Sequence, residues 1–156
     1  MKTLVVYYSR TGTTKKVAEE IRVKLGCDIE EIIDTKDRSG IVGYLKSGRD
    51  AMYKHLTEIK PQIKNPADYD LVIIGTPVWA WNISTPIRTY LTENKDKLKN
   101  VAFFATQGGA GADSAFRAMT DVCGKAPMAT LALMTKQVRQ NAGVALMQDF
   151  INKAFL

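Results

Sequence analysis

The chain has little of what many metal-binding and hydrolytic sites require. It contains one histidine and two cysteines, Cys27 and Cys123, which lie far apart and show no metal-binding or redox spacing. His55 alone supports neither a zinc site nor a serine–histidine pair, and we expect the cysteines to be buried thiols in a reducing compartment. The chain also lacks the G-x-x-x-x-G-K-[ST] and G-x-G-x-x-G motifs, so we expect neither a nucleoside triphosphate loop nor a dinucleotide loop.

Long apolar runs and a leader segment are missing as well. No run approaches the ~20 apolar residues of a membrane helix, and Met1 leads almost directly into the first apolar stretch. The net charge is +6, but basic and acidic residues are interleaved and form no cluster typical of nucleic-acid binding. We therefore expect a single cytoplasmic domain over residues 1–156, with no bound metal, no nucleic acid and no membrane insertion.

The most informative segment is the turn over residues 9–14. An apolar run over residues 4–8 ends in this turn, which is followed by a helical pattern and consists of Ser9, Arg10, Thr11, Gly12, Thr13 and Thr14. Such a turn offers an anion hydroxyl donors, free backbone N–H groups and the positive end of a helix dipole. Gly12 allows the backbone to approach a ligand closely. The pattern favours a phosphate site over a helix cap made by one Ser or Thr.

Apolar periodicity predicts five strands that alternate with five helices. The predicted strands are residues 3–8, 28–34, 70–75, 100–105 and 128–134, and the predicted helices are 14–25, 41–56, 85–93, 112–123 and 143–155. Thr85 and Pro86 are interpreted as the cap and first turn of the third helix. This alternation predicts a parallel sheet with helices on both faces and a ligand site at the carboxyl ends of the strands.

Two further loops are expected at the same edge of the sheet. The second loop consists of Thr76, Pro77, Val78, Trp79, Ala80, Trp81 and Asn82, and the third begins with Thr106, Gln107, Gly108 and Gly109. An indole of the second loop is suited to stack on a flat aromatic ligand, or to cover the core edge or a partner interface. The glycines of the third loop allow bare backbone to meet the polar edge of a ring system. Together the three loops predict a site for flavin mononucleotide (FMN).

The three loops resemble the flavin loops of the flavodoxin family. The first loop is similar to the family's phosphate loop, and residues 75–79 and 106–109 are similar to its second and third loops. The resemblance spans essentially the whole chain and corresponds to the short-chain form. It implies a three-layer α/β sandwich with a five-stranded parallel sheet in the order 2-1-3-4-5. It places the phosphate at Ser9, Thr11, Gly12, Thr13 and Thr14, the ring beside Trp79 or Trp81, and its pyrimidine edge at backbone of residues 107–109.

Two functions remain open on this sequence. In the first, the protein is an electron shuttle whose FMN exchanges electrons between redox partner proteins. In the second, it is an NAD(P)H-dependent, FMN-containing quinone reductase with a small quinone-like acceptor. The shuttle is slightly favoured, because nothing in the sequence resembles a separate nicotinamide site. A phosphorylated receiver domain is excluded, since the first and third strands end in Tyr8-Ser9 and Gly75-Thr76 rather than in acidic residues.

Residues 40–56 depart from the usual flavodoxin pattern. This segment is a glycine-spaced, partly apolar helix in which Tyr44, Leu45, Met52 and Leu56 recur at helical spacing. The favoured interpretation is a plain amphipathic helix, and a partner surface or a lid is the alternative.

Charge is the second departure, because flavodoxins that act as low-potential carriers are typically acidic. The loops over residues 76–82 and 106–112 contain no Asp or Glu. A carboxylate near a flavin disfavours its anionic reduced form, by roughly 1 kcal/mol per charge pair at 4 Å in water. We therefore predict a less negative potential for the final reduction step. A redox titration that finds this potential as low as in acidic family members would contradict the prediction.

Overall fold

Strands and helices alternate along the whole chain in the computed structural model, which describes residues 1–156. The strands are β1 (Thr3–Tyr7), β2 (Asp28–Glu31), β3 (Leu71–Trp79), β4 (Asn82–Ile83), β5 (Asn100–Gln107) and β6 (Thr130–Met134). The helices are α1 (Thr13–Leu25), α2 (Gly40–Met52), α3 (Thr85–Asn94), α4 (Ala112–Cys123), α5 (Thr135–Arg139) and α6 (Val144–Ala154). A 3-10 turn at Pro66–Asp68 precedes β3. None of the helices combines the length and the apolar character that crossing a bilayer demands.

The sheet has the predicted topology. Its order is β2-β1-β3-β5-β6, and β4 pairs in antiparallel fashion with the end of β3. Counting only the five parallel strands gives 2-1-3-4-5, so the predicted order is confirmed. Leu4 of β1 is paired with Asp28 on one side and with Val72 on the other. Because the strand order reverses beside β1, a crevice is expected at the carboxyl ends of β1 and β3.

Alternate residues of the buried strands supply two separate cores, one on each face of the sheet. Leu4 and Val6 belong to the core that includes residues of α3 and α4. Val5 and Tyr7 belong to the opposite core, which includes residues of α1 and α6. This division follows from the two-residue period of a strand and produces the three layers that the resemblance implied.

The loop predicted over residues 76–82 is a β-hairpin. Strand β3 continues to Trp79, and the chain then returns as β4, which pairs Val78 with Ile83. The two central residues, Ala80 and Trp81, have φ angles of 48° and 63°. Positive φ at both positions is the geometry of a type I′ turn, which Asn-Gly or Asp-Gly usually signals. Ala-Trp carries no such signal, and the prediction of a loop over the whole of residues 76–82 was wrong, because only Ala80 and Trp81 lie outside the two strands.

Other boundaries differ by smaller amounts. The second strand ends at Glu31 rather than at residue 34, and only an isolated bridge between Asp34 and Ile59 lies beyond it. Helix α5 was not predicted, because its five residues are too short for a periodic pattern. The N-cap of α3 is Ser84 rather than Thr85, with Pro86 in the first turn as expected.

Helix α2 turns its apolar side outward, so its interpretation as a plain amphipathic helix was wrong. Small and polar residues face inward, namely Gly43, Ser47, Asp50 and Ala51. Tyr44 and Leu45 are each 63 % exposed. The helix also ends at Met52, which leaves Leu56 outside it and exposed. The reason is the buried Arg38, whose Nη1 donates to Ser47 Oγ at 3.3 Å and to Asp50 Oδ2 at 3.1 Å. The polar side of α2 supplies the partners that this buried cation needs.

Gly43 and Gly48 form a matched pair that tests this packing. A Cβ atom at residue 43 would lie 2.2 Å from the carbonyl carbon of Arg38, whereas one at residue 48 would meet nothing within 4 Å. Gly43→Ala should therefore lower the free energy of unfolding by about 1–3 kcal/mol, as overpacking does. Gly48→Ala should raise it by about 0.5–1 kcal/mol, because alanine favours the helix. Urea denaturation of both variants measures the difference, and equal effects would contradict the described packing.

Candidate functional site

All three predicted loops reach one cavity of about 230 Å³ at the carboxyl edge of the sheet. Its lining includes predicted residues from each loop, namely Ser9, Arg10, Thr11, Thr13, Thr14, Pro77, Val78, Trp79, Thr106 and Gly108. Tyr44 of α2 and Thr135 at the start of α5 complete the lining and were not predicted. Thr135 directly follows β6, so its position beyond a strand end was the available signal. For Tyr44 the signal was misleading, because its helical spacing suggested a core position.

The first turn of α1 presents backbone donors to this cavity. Gly12 is the N-cap, with φ 96°, and no side chain caps the helix. Ser9 Oγ accepts the N–H of Gly12 at 3.0 Å, and the amides of residues 13–15 have no acceptor in the chain. A helix cap formed by Ser or Thr would satisfy one of those amides. With no acidic residue in the first turn, the positive end of the helix dipole is available to an anion.

Two side-chain contacts hold the first loop against its neighbours. Thr14 Oγ1 and Thr106 Oγ1 are both buried and lie 2.8 Å apart, which joins the first loop to the third. Arg10 Nη1 donates to the carbonyl of Arg38 at 3.2 Å, and its guanidinium lies 5.4 Å from the centre of the Tyr44 ring. The cation–π contact connects the first loop with α2, so the cavity wall is fixed on both sides.

The two tryptophans of the hairpin have different environments. Trp79 is 8 % exposed, and its ring meets that of Tyr8 nearly at right angles, with the centroids 5.4 Å apart. Burial, together with the charge of Asp34, raises the pKa of Tyr8 to about 12, so this phenol stays neutral. Trp81 lies in the turn and is 64 % exposed. Trp79 therefore closes the core edge while lining the cavity, and Trp81 has a free ring face for a ligand.

Trp81 also lines a second cavity, of about 420 Å³, together with Gln107, Gly109 and Asp113. Asp113 is exposed and places one carboxylate immediately after the acid-free third loop. Gly108 and Gly109 are exposed, and a Cβ atom on either would meet nothing within 4 Å. The loop thus presents bare backbone beside an exposed indole, an arrangement that fits the polar edge of a flat ring system.

Gly111 and Gln107 hold the third loop under the hairpin. A Cβ atom on Gly111 would lie 3.0 Å from Val78 Cγ1 and 3.1 Å from Trp81 Cα. The side chain of Gln107 accepts the N–H of Ala112 at 3.0 Å. The backbone carbonyl of Gln107 accepts a hydrogen bond from the hydroxyl of Thr135 at 3.3 Å. The backbone of the third loop is therefore fixed relative to both tryptophans.

Some predicted site residues lie outside the cavity. Thr76 is fully buried, and its hydroxyl oxygen accepts the N–H of Ser84 at 3.0 Å. Asn82 Oδ1 accepts a hydrogen bond from Arg88 Nη2 at 2.8 Å. The structure therefore places Thr76 and Asn82 in the support of the hairpin. Ala80 lines a separate apolar cavity beside α2.

A buried ion cluster lies behind Trp79, and the sequence pattern did not reveal it. Arg38 pairs with Asp34 through Nε and with Asp50 through Nη1, and its guanidinium lies 5.2 Å from the Trp79 ring. Asp50 Oδ1 is also 3.0 Å from His55 Nδ1. Burial opposes the charge of Asp50, but the hydrogen bonds from His55 and Arg38 hold its pKa below the usual value. Burial likewise opposes the charge of Arg38, but its two carboxylate partners raise its pKa.

Comparisons with known proteins agree with the fold described above. A family model described as Flavodoxin matches residues 2–150. The structure is similar to that of a Lactobacillus acidophilus flavoprotein in complex with FMN, which is 28 % identical with a TM-score of 0.73. The match covers 89 % of this chain and 97 % of that protein. The apo form of the L. acidophilus flavoprotein gives a TM-score of 0.65 at 28 % identity, with 84 % and 91 % of the two chains covered.

A more distant similarity concerns the fold alone. An NADH:FMN oxidoreductase in its apo form has a TM-score of 0.57 at 14 % identity, with 99 % of this chain and 89 % of that chain covered. A comparison with curated protein sequences gives no significant match.

Asp50→Asn tests the ion cluster through its pH dependence. Because the folded protein lowers the pKa of Asp50, its stabilising contribution is present above the ordinary aspartate pKa of about 3.9 and is lost as the pH falls through the lowered value. The variant should lose about 3 kcal/mol of unfolding free energy at neutral pH. The difference from the native protein should shrink in strongly acidic buffer.

Urea denaturation at neutral and acidic pH measures both effects. Asp149→Asn is the matched control, since Asp149 forms only an exposed pair with Lys153 at 2.7 Å. Its effect should stay within about 0.5 kcal/mol. A loss in Asp50→Asn that is the same at both pH values would contradict the role of this carboxylate.

Proposed function

The chain belongs to the flavodoxin family, and from this premise we propose that it binds FMN and shuttles electrons between redox partners. The observation that carries the proposal is the uncapped N-terminus of α1, which borders a cavity shared by all three flavin-type loops. The FMN complex of the L. acidophilus flavoprotein supports the choice of cofactor.

The residues present fit each part of FMN. The free amides of residues 13–15 and the hydroxyls of Ser9, Thr11 and Thr13 would hold the phosphate. The free ring face of Trp81 would stack on the flavin. The exposed backbone at Gly108 and Gly109 would meet the ring's polar edge. FMN supplies the redox chemistry when bound, while the protein binds it, orients it and shields part of it from water.

Charges around the cavity support the expectation of a less negative final potential. Arg10 lines the cavity, whereas the charge of the buried Arg38 behind Trp79 is offset by its carboxylate partners Asp34 and Asp50. Lys16 contributes less than its position suggests, because its ammonium group donates to Asn141 Oδ1 at 2.6 Å. Asp113 is the exposed acidic residue in the lining beside Trp81. The cavity that the three loops share is therefore lined by one cation and no carboxylate, which favours an anionic reduced ligand, whereas Asp113 opposes this effect beside Trp81.

A second candidate function is NAD(P)H-dependent quinone reduction. The observation that favours it is the apolar cavity beside α2, which shares Tyr44, Val78 and Trp79 with the proposed FMN cavity. A small apolar acceptor could approach the flavin site from this side. The shuttle keeps precedence because the exposed face of α2 also offers a surface on which a redox partner protein can dock.

One anaerobic experiment separates the two functions. The protein is loaded with FMN, freed of unbound flavin and oxygen, and mixed with NADPH while its yellow absorbance is followed. The shuttle predicts a persistent flavin band, because a protein reductase is then the required donor. Rapid bleaching would contradict the shuttle and support the reductase. Complete loss of colour when free FMN is removed would contradict FMN binding itself.

The two tryptophans provide a second test, because their environments predict that one substitution mainly lowers FMN affinity and the other mainly lowers the free energy of unfolding. Trp81→Ala should weaken FMN binding by about 1–3 kcal/mol, the range measured when an aromatic side chain that stacks on a nucleic-acid base is removed. Its effect on unfolding should be small, since Trp81 is exposed. Trp79→Ala should lower the free energy of unfolding by about 3–5 kcal/mol. Flavin fluorescence titration and urea denaturation measure the two quantities, and unchanged FMN affinity in Trp81→Ala would rule out stacking on this residue.

A further inference from the structure

An apolar cavity of about 340 Å³ lies between α2 and the hairpin formed by β3 and β4. One wall is formed by Tyr44, Leu45 and Met52, and the opposite wall by residues 78–80. This volume lies within the range of about 300–1,000 Å³ that is typical of small-molecule sites. The cavity is therefore large enough for a ligand of its own beside the proposed FMN site.

The cavity exists because of two features of α2. The buried Arg38 draws the polar side of the helix inward, so that apolar side chains point away from the core. Gly48 leaves open space between these apolar side chains, since a Cβ atom at this position would meet nothing within 4 Å. Glycine within a helix costs about 1 kcal/mol relative to alanine. The open space therefore lies at a position where alanine would stabilise the helix more than glycine does.

The lining specifies the chemistry of the ligand. The exposed ring of Tyr44 supplies an aromatic surface, and Leu45 and Met52 supply apolar surface beside it, which suits a flat ring system. Arg49 is the charged residue of the lining, and its side chain is 61 % exposed. Its carboxylate partner is Asp50, at 3.7 Å, and Asp50 is held more closely by Arg38 and His55. The guanidinium is therefore free to pair with an anionic oxygen.

We propose that this cavity binds a flat, largely aromatic small molecule that carries one anionic oxygen, such as an aromatic carboxylate or a hydroxyquinone. The binding follows from the lining and does not require FMN. The role of such a molecule as an electron acceptor rests on FMN binding and on the second candidate function, quinone reduction, and is suggested because Val78 and Trp79 belong to both cavities. A protein partner or a second copy of the chain would instead cover Ile41 and Val42, which are exposed and lie outside the lining.

Calorimetric titration with 2-naphthoate tests the proposal, because this probe is flat, anionic and not redox-active. We expect saturable binding at one site, both with and without FMN. Gly48→Leu should weaken it at least tenfold, because the new side chain fills the cavity. Arg49→Gln should weaken it several-fold through loss of the anion partner. Ile41→Ser is the matched control, which removes exposed apolar surface outside the lining and should leave the affinity unchanged.

Several results would overturn the proposal. The first is the absence of saturable binding at millimolar 2-naphthoate. The second is an affinity of Gly48→Leu for the probe equal to that of the native protein, and the third is displacement of the probe by FMN. Sedimentation that shows a dimer, abolished by Ile41→Ser, would instead make this face an interface between copies. Denaturation of Gly48→Leu checks that it folds, and FMN titration checks the neighbouring site. If FMN does not bind but Gly48→Leu still weakens binding of the probe, the proposed function is wrong and the proposal of an apolar ligand site is supported.

Discussion

The buried guanidinium of Arg38 is the interaction on which the arrangement of the site depends. The guanidinium pairs with Asp34 and Asp50, and the backbone carbonyl of Arg38 accepts a hydrogen bond from Arg10. Its guanidinium also lies against the ring of Trp79. A buried cation is costly unless it is paired and hydrogen-bonded. This requirement fixes α2, the hairpin and the first loop relative to one another.

The orientation of α2 is the main consequence of this constraint. A helix that supplies Ser47 and Asp50 to a buried cation must turn its remaining side outward, and that side carries Tyr44, Leu45 and Met52. The same buried charge therefore produces both the fixed wall of the proposed FMN cavity and the apolar cavity next to it. Tyr44 lines both cavities, so the two cavities share a wall.

The parallel sheet and the positions of the three loops could be predicted from sequence, because they depend on local patterns. Buried strands such as residues 71–74 read as continuous apolar runs, and the turn after β1 combines hydroxyls with a glycine before a helix. The hairpin could not be predicted, since Ala80 and Trp81 adopt positive φ without the residues that favour it. The orientation of α2 was also out of reach, because it depends on the burial of Arg38 and its pairing with Ser47 and Asp50, which apolar periodicity does not reveal. For the same reason the separate roles of Trp79 and Trp81 emerge only from the folded chain.

The most direct test of the central claim is to compare the affinities of FMN and riboflavin, which differ only in the phosphate. The free amides at the start of α1 and the hydroxyls around them predict at least two charge-assisted hydrogen bonds to that group. At about 1.5 kcal/mol or more for each bond, FMN should bind at least about 100-fold more tightly than riboflavin. Equal affinities would contradict a phosphate site at this turn, and with it the proposed place of the flavin.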